Sequence, residues 1–200
     1  MASHTEQLDR TARPESSDDP VQHETASGFV VKHVDDVWRV LLIWHVRLGA
    51  LTVPGGHLEK KGKSAGETAA EAFVRETGEE AGIEILLLSP PAPRLPDAFP
   101  HRILPRPWWT VAGRASADSV TAGWHVHIDQ QFIALATGAE HAGRECEPLW
   151  LSATELEARE DCLPDTRMQA LYILAALDRV GAPQEPDELA RGLFLAMDAV

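Results

Sequence analysis

The sequence predicts an α/β fold in which helices cover both faces of a β-sheet. The run Val40-Leu41-Leu42-Ile43-Trp44 inside "WRVLLIWHV" is apolar without a break, as expected of a strand covered on both faces. Residues 68–82 and 165–180 carry apolar side chains at helical spacing, so each presents one stripe to a core. A chain of 200 residues that is 44% hydrophobic suffices to fill such a core as one domain with appended segments.

The elements follow in order. Residues 1–26, polar and acidic with few branched aliphatics, are expected to be a disordered N-terminal tail. Residues 27–182 are expected to be the folded domain. "GFVVKH" and "WRVLLIWHV", joined by "VDDV", read as a hairpin, and "RLGALTVPGGHLE" as a turn, a short strand and a glycine loop. The helix that follows opens on a capping box, Thr68 with Glu71, and buries Ala70, Phe73, Val74, Thr77 and Ala81. Gly82 is its carboxyl-side cap, and "IEILLL" is the next strand. Five prolines between residues 90 and 100 forbid regular structure there and predict a long loop. Strands are expected at 124–137 and 148–152, a short helix at "ATELEAR", and an amphipathic helix at 165–180. Residues 183–200 form a last helix, expected either to pack back or to pair with a second subunit as a homodimer.

Charge and cysteine usage exclude several classes. A formal charge of −13 is the wrong sign for a surface that wraps nucleic acid. An anionic ligand would need bridging cations. Cys146 and Cys162 lack CxxC spacing, which argues against a disulfide framework or a zinc ribbon and favours a reducing cytoplasm. No apolar run approaches the ~20 residues needed to cross a bilayer.

One local feature contradicts helix electrostatics. Glu76, Glu79 and Glu80 occupy the last turn of the first helix, where each acid loses about 0.3–1 kcal/mol against the macrodipole and a few tenths more to like-charged neighbours. At 100° per residue the three share one arc beside the apolar stripe. A multivalent cation would turn this repulsion into affinity.

The stretch Arg75-Glu76-Thr77-Gly78-Glu79-Glu80-Ala81-Gly82-Ile83, with Glu67 eight residues before Arg75 and "PGGHLE" upstream, resembles the Nudix box, G-x5-E-x7-R-E-U-x-E-E-x-G-U, where U is a bulky aliphatic. Two departures stand out. Ten residues separate Gly56 from Glu67 where the family has five, through an apparent insertion "KKGKSA", and Thr77 occupies an aliphatic position. The resemblance implies a Nudix-type α/β/α sandwich with a mixed β-sheet between helices. It implies hydrolysis of a pyrophosphate linkage in a nucleoside diphosphate derivative, such as a nucleotide sugar, ADP-ribose or a nucleoside triphosphate, by metal-activated water. Glu76, Glu79, Glu80 and the Gly56 carbonyl would hold Mg2+, with Mn2+ as a substitute. Arg75 would orient the glutamates, and Glu76, Glu79 or Glu145 would supply the catalytic carboxylate, with Glu147 the next choice on that loop. Glu67 is either a helix-start acid or an outer metal ligand.

Other readings compete. A Nudix-fold binding or regulatory module without hydrolysis is one. His125, His127 and Asp129 alternate along a single strand, so they face one side and suit a transition metal in a cupin-like protein. Alternatively His57, His125 and His127 line the substrate cleft, or His125 and His127 are satisfied polar residues on a sheet face. The tryptophans of "PRPWW" either stack on a base or fill core.

Overall fold

The computed structural model describes residues 20–59, 66–138, 140–182 and 185–199. Most of the expected N-terminal tail and the insertion at 60–65 lie outside them. Strands β1 (Gln22–Val34) and β2 (Val37–His45) form the expected hairpin. Its two turn residues, Asp35 and Asp36, take φ of 51° and 60°, the left-handed pair that lets a tight turn follow the twist of its strands. Next come β3 (Ala50–Thr52), β4 (Gly55–His57), helix α1 (Ala69–Ala81) and β5 (Ile85–Leu88). Then follow β6 (Trp109–Ala115), β7 (His125–Ala136), β8 (Leu149–Leu151), and helices α2 (Ala153–Glu157), α3 (Pro164–Val180) and α4 (Pro186–Asp198).

The strands join in one mixed sheet with the order β3-β2-β1-β7-β5, while β4 pairs with β1, β6 with β7 and β8 with β2. β1 organises it. Its first half pairs antiparallel with β4, its second half with β2, and its other edge runs parallel to β7 from Gln22 beside Val126 to Val31 beside Leu135. Alternation then divides its side chains between two cores. Phe29 and Val31 join the core under α3 and α4. Ala26 and Val30 join the core under α1, where Phe73 stacks on Phe132 with ring centroids 5.8 Å apart. The α/β/α sandwich expected from the unbroken apolar run of β2 is the architecture seen: Leu41 and Ile43 face α1, Val40 and Leu42 face α3.

Three details differ from the sequence reading. β1 begins at Gln22, so residues 22–26, assigned to the tail, are sheet; pairing on both edges holds a segment whose own composition is that of a coil. Val74 is 42% exposed while Ala69 and Ala72 are buried, because the small alanines let α1 lie close on the sheet and push Val74 to its margin. β6 was not anticipated: it lies at the margin of the sheet, paired with β7, and its mostly exposed residues show no apolar alternation. Trp108 and Trp109 pack against the α3 core, so of the two roles considered for them core filling is the one observed. The last segment, α4, lies against α3: Leu189, Ala190 and Leu193 are buried, and Tyr172 and Arg179 of α3 donate to the Met197 and Ala196 carbonyls. Among the described residues no helix is long and apolar enough to cross a membrane.

Candidate active site

Helix α1 is fixed at both ends before its acids are considered. Thr68 and Glu71 form the reciprocal capping box, and Gly82 closes the helix with φ 67° and an N–H donated to the Gly78 carbonyl. The next two free carbonyls are taken from outside the helix. Glu145 N–H donates to the Glu79 carbonyl at 3.0 Å and Cys146 N–H to the Glu80 carbonyl at 2.8 Å, which satisfies groups a helix end leaves unpaired. These two bonds carry Glu145 to the acidic turn, where its charge reaches Glu80.

Arg75 resolves part of the repulsion. Its Nε and Nη2 bind both oxygens of Glu67, each at 3.0 Å, and its Nη1 donates to Glu76 at 2.9 Å and Glu79 at 2.8 Å. The remaining Nη2 hydrogen goes to the His57 carbonyl at 3.1 Å, so all five guanidinium N–H groups are used. The bonds to Glu67, then those to Glu79 and Glu76, push its pKa above the usual arginine range. Glu67, 7% exposed, also accepts the Glu59 N–H at 3.1 Å, while its own N–H returns to the Glu59 carbonyl at 3.1 Å. Glu67 thus ties together the two ends of the 60–65 insertion and the arginine.

The other acids remain under-compensated. Burial raises the Glu80 carboxyl to about 7, and Glu76, Glu145 and Glu79 add to the shift against the opposing Gly55 N–H, which donates to Glu80 at 2.9 Å. Burial also raises Glu76, against the pull of Arg75. Gly56 faces that carboxylate so closely that a Cβ there would lie 2.2 Å from Glu76 Oε1. Gly55 is equally confined, since a Cβ would lie 2.5 Å from the Ala26 carbonyl. Glycine in both places is therefore a matter of room. An all-oxygen donor set with unneutralised charge, pressed against a glycine strand, fits a hard divalent cation.

A cleft of about 540 Å³ lies along the same strand, lined among others by Thr25, Ser27, Gly55, Gly56, His57 and Asp129. Alternation along β4 turns Gly56 toward Glu76 and the His57 ring the other way, onto the cleft wall. His57 and His127 line this cleft, whereas His125 is fully buried behind it. Asp129 accepts from the Thr25 and Ser27 hydroxyls at 2.9 and 2.6 Å and does not join the histidines on its strand. Their carboxylate partner is Asp118, unforeseen because it sits in an irregular turn with no periodicity to mark it. Its Oδ2 lies 2.9 Å from His125 Nε2 and 3.3 Å from the Nε2 atoms of His57 and His127. Burial alone would raise the Asp118 carboxyl. The N–H groups of Thr121 and Val120, with His125 beside them, overrule it and hold the group below the usual carboxylate range. Burial keeps His57 and His127 below the usual imidazole value, hence neutral near pH 7.

An α/β/α sandwich whose first long helix ends in convergent glutamates under a glycine strand is the scaffold that the Nudix resemblance implied. The chain belongs to the Nudix family: the NUDIX domain model matches residues 23–177. A NUDIX-family hydrolase from Clostridium perfringens is 26% identical, with 74% of this chain and 93% of that one covered and a TM-score of 0.56. A NUDIX hydrolase from Nitrosomonas europaea is 19% identical over 76% and 86% of the two chains, at 0.49. The NUDIX domain of Shewanella oneidensis NrtR, solved with ADP ribose, is 18% identical over 76% and 84%, at 0.47. Comparison with curated proteins found no match. The fold sets the cupin-like reading aside, although the histidine pair that prompted it does converge.

Proposed function

We propose that this chain hydrolyses a pyrophosphate linkage in a nucleoside diphosphate derivative with Mg2+, or Mn2+ in its place. The observation that carries the reading is the convergence of Glu76, Glu79 and Glu80 beside the Gly55–Gly56 strand, with Glu80 half-buried and its pKa raised to about 7. Those three carboxylates and the Gly56 carbonyl would hold the cation. Bound there, it would lower the pKa of water and neutralise charge on the diphosphate. The protein's own share is positional. Arg75 fixes Glu76 and Glu79, and Glu67 fixes Arg75. Glu79, with 52% of its side chain exposed, or Glu145 would take the proton from the attacking water.

The test is product release from a panel of nucleotide sugars, ADP-ribose and nucleoside triphosphates with Mg2+. Turnover of at least one class, lost in Glu80→Gln and Glu79→Gln while both variants stay folded, supports the reading. Native turnover in both variants overturns it.

A further inference from the structure

We propose that His57, Asp118, His125 and His127 form a closed four-ligand site for Zn2+, separate from the acidic turn of α1. The four ligand atoms lie within 4.8 Å of one another. They come from three places in the chain: β4, the connection between β6 and β7, and two alternate positions on β7. A zinc–nitrogen distance of about 2.0–2.1 Å in a tetrahedron puts ligand atoms about 3.3 Å apart. The observed separations are 2.9 and 3.3 Å from Asp118 Oδ2 to the three imidazoles and 2.8 Å between the Nε2 atoms of His125 and His127.

Protons alone satisfy this arrangement poorly. His125 Nδ1 donates to the Gly123 carbonyl at 3.0 Å, and a carbonyl can only accept. In the neutral ring, Nε2 then carries a lone pair. That lone pair faces a carboxylate oxygen at 2.9 Å, with only a His127 Nε2–H, 2.8 Å away, able among the described residues to donate to it, in a site where the His125 ring is fully buried. Protonating the rings instead would crowd imidazolium cations together, one of them, His125, fully buried, which is costly. His57 Nε2 is buried with no hydrogen-bond partner among the described residues; its 3.3 Å approach to Asp118 Oδ2 is not a hydrogen bond. A dication in their midst would use all four lone pairs at once.

The surroundings are those of a built site. Asp118 Oδ1 accepts the N–H groups of Val120 and Thr121, both at 2.8 Å, which aims Oδ2 at the histidines. The Gly123 carbonyl orients His125 in the same way. Such outer partners fix ligand rotamer and tautomer in metal sites. His23 packs its ring edge against His57 and His125 at 5.6 and 5.1 Å and bonds Thr121 through Nε2, covering the cluster from a further side.

Three imidazoles and a carboxylate suit Zn2+ better than Mg2+, which favours oxygen ligands. With four protein ligands no coordination position is left for water, so the role is structural. The site would fasten the 116–124 connection to β7 and to β4. Because the His57 carbonyl is held by Arg75 while its ring faces Asp118, the ion would also brace the glycine strand from the side opposite the acids.

The full-length chain, stripped with a chelator, is titrated with Zn2+ against a chromogenic competitor and, separately, with Co2+ while visible absorption is recorded. One Zn2+ per chain and the intense visible bands of tetrahedral Co2+ are expected. His127→Ala and Asp118→Asn should each weaken Zn2+ binding beyond the ~10–100-fold typical of losing an outer partner, and abolish those bands. Glu79→Gln, in the acidic turn, should leave Zn2+ binding intact even where hydrolysis is lost, so this site and the proposed activity fail independently. Circular dichroism reports folding; if Asp118→Asn does not fold, the half-buried His127→Ala decides. Less than half an equivalent bound at saturation, weak octahedral-type Co2+ spectra, or affinities within about threefold of the native chain in the folded variants would overturn the proposal.

Discussion

Replacing Gly56 with alanine separates the geometry of the site from the stability of the fold. The new Cβ would lie 2.2 Å from Glu76 Oε1 and 2.6 Å from its Cδ, whereas real Cβ contacts seldom fall below 3.4 Å. Something must retreat by about 1 Å, a displacement that costs on the order of a hundredfold in rate when it touches a reacting centre. The atom that yields is the far end of a flexible side chain and not backbone. Folding should therefore lose less than about 1 kcal/mol, within the range of ordinary surface substitutions and small rotamer strain. The retreat moves Glu76 away from its 2.9 Å bond with Arg75 and out of the arc it shares with Glu79 and Glu80. The assay is kcat and KM for the best substrate of the panel, with urea unfolding run in parallel. A fall in kcat of about a hundredfold with a nearly unchanged unfolding midpoint is expected. Activity within about threefold of native would refute the placement of Glu76, and a parallel loss of stability would refute the claim that only a side chain moves.

Three further outcomes follow from the same geometry. The Glu80 carboxyl, raised from 4.5 to about 7 by burial, gives the cation-free chain stability that is fully present below pH 4.5 and lost as pH rises through 7. At 1.36 kcal/mol per pKa unit, urea unfolding in EDTA should show a decline of at most about 3 kcal/mol between pH 5 and pH 8, flattened in Glu80→Gln; equal slopes in both proteins would sink the assignment. Glu67→Ala removes the bidentate partner of Arg75 and the acceptor of the Glu59 N–H, which should cost about 2–4 kcal/mol in chemical denaturation, near the cost of breaking a buried pair. Loss below about 0.5 kcal/mol would show that Glu76 and Glu79 hold the arginine unaided. Glu145→Gln is tested by its pH–rate profile against the native chain: loss of the acid limb identifies Glu145 as the group that takes the proton, and retention of that limb excludes it.

The sequence alone determined whatever depends on local spacing. A capping box, a glycine stop and carboxylates at i, i+3 and i+4 lie within one helix, so Thr68, Glu71, Gly82 and the acidic arc were legible from residue order and the 100° rotation per residue. The unbroken apolar run of β2 likewise announced a sheet covered on both faces. Tertiary structure decided which distant groups meet. That Arg75 would spend two of its five donors on Glu67 and one on the His57 carbonyl depends on where β4 packs against α1. That two histidines two positions apart on β7 would find His57 and Asp118, and not the nearer Asp129, depends on a loop with no periodicity and on pairing between β1 and β4. The residues nearest in sequence set the shape of each element. Only the closing of the sheet, which buries charges that must then find partners across it, sets which of those residues share a site.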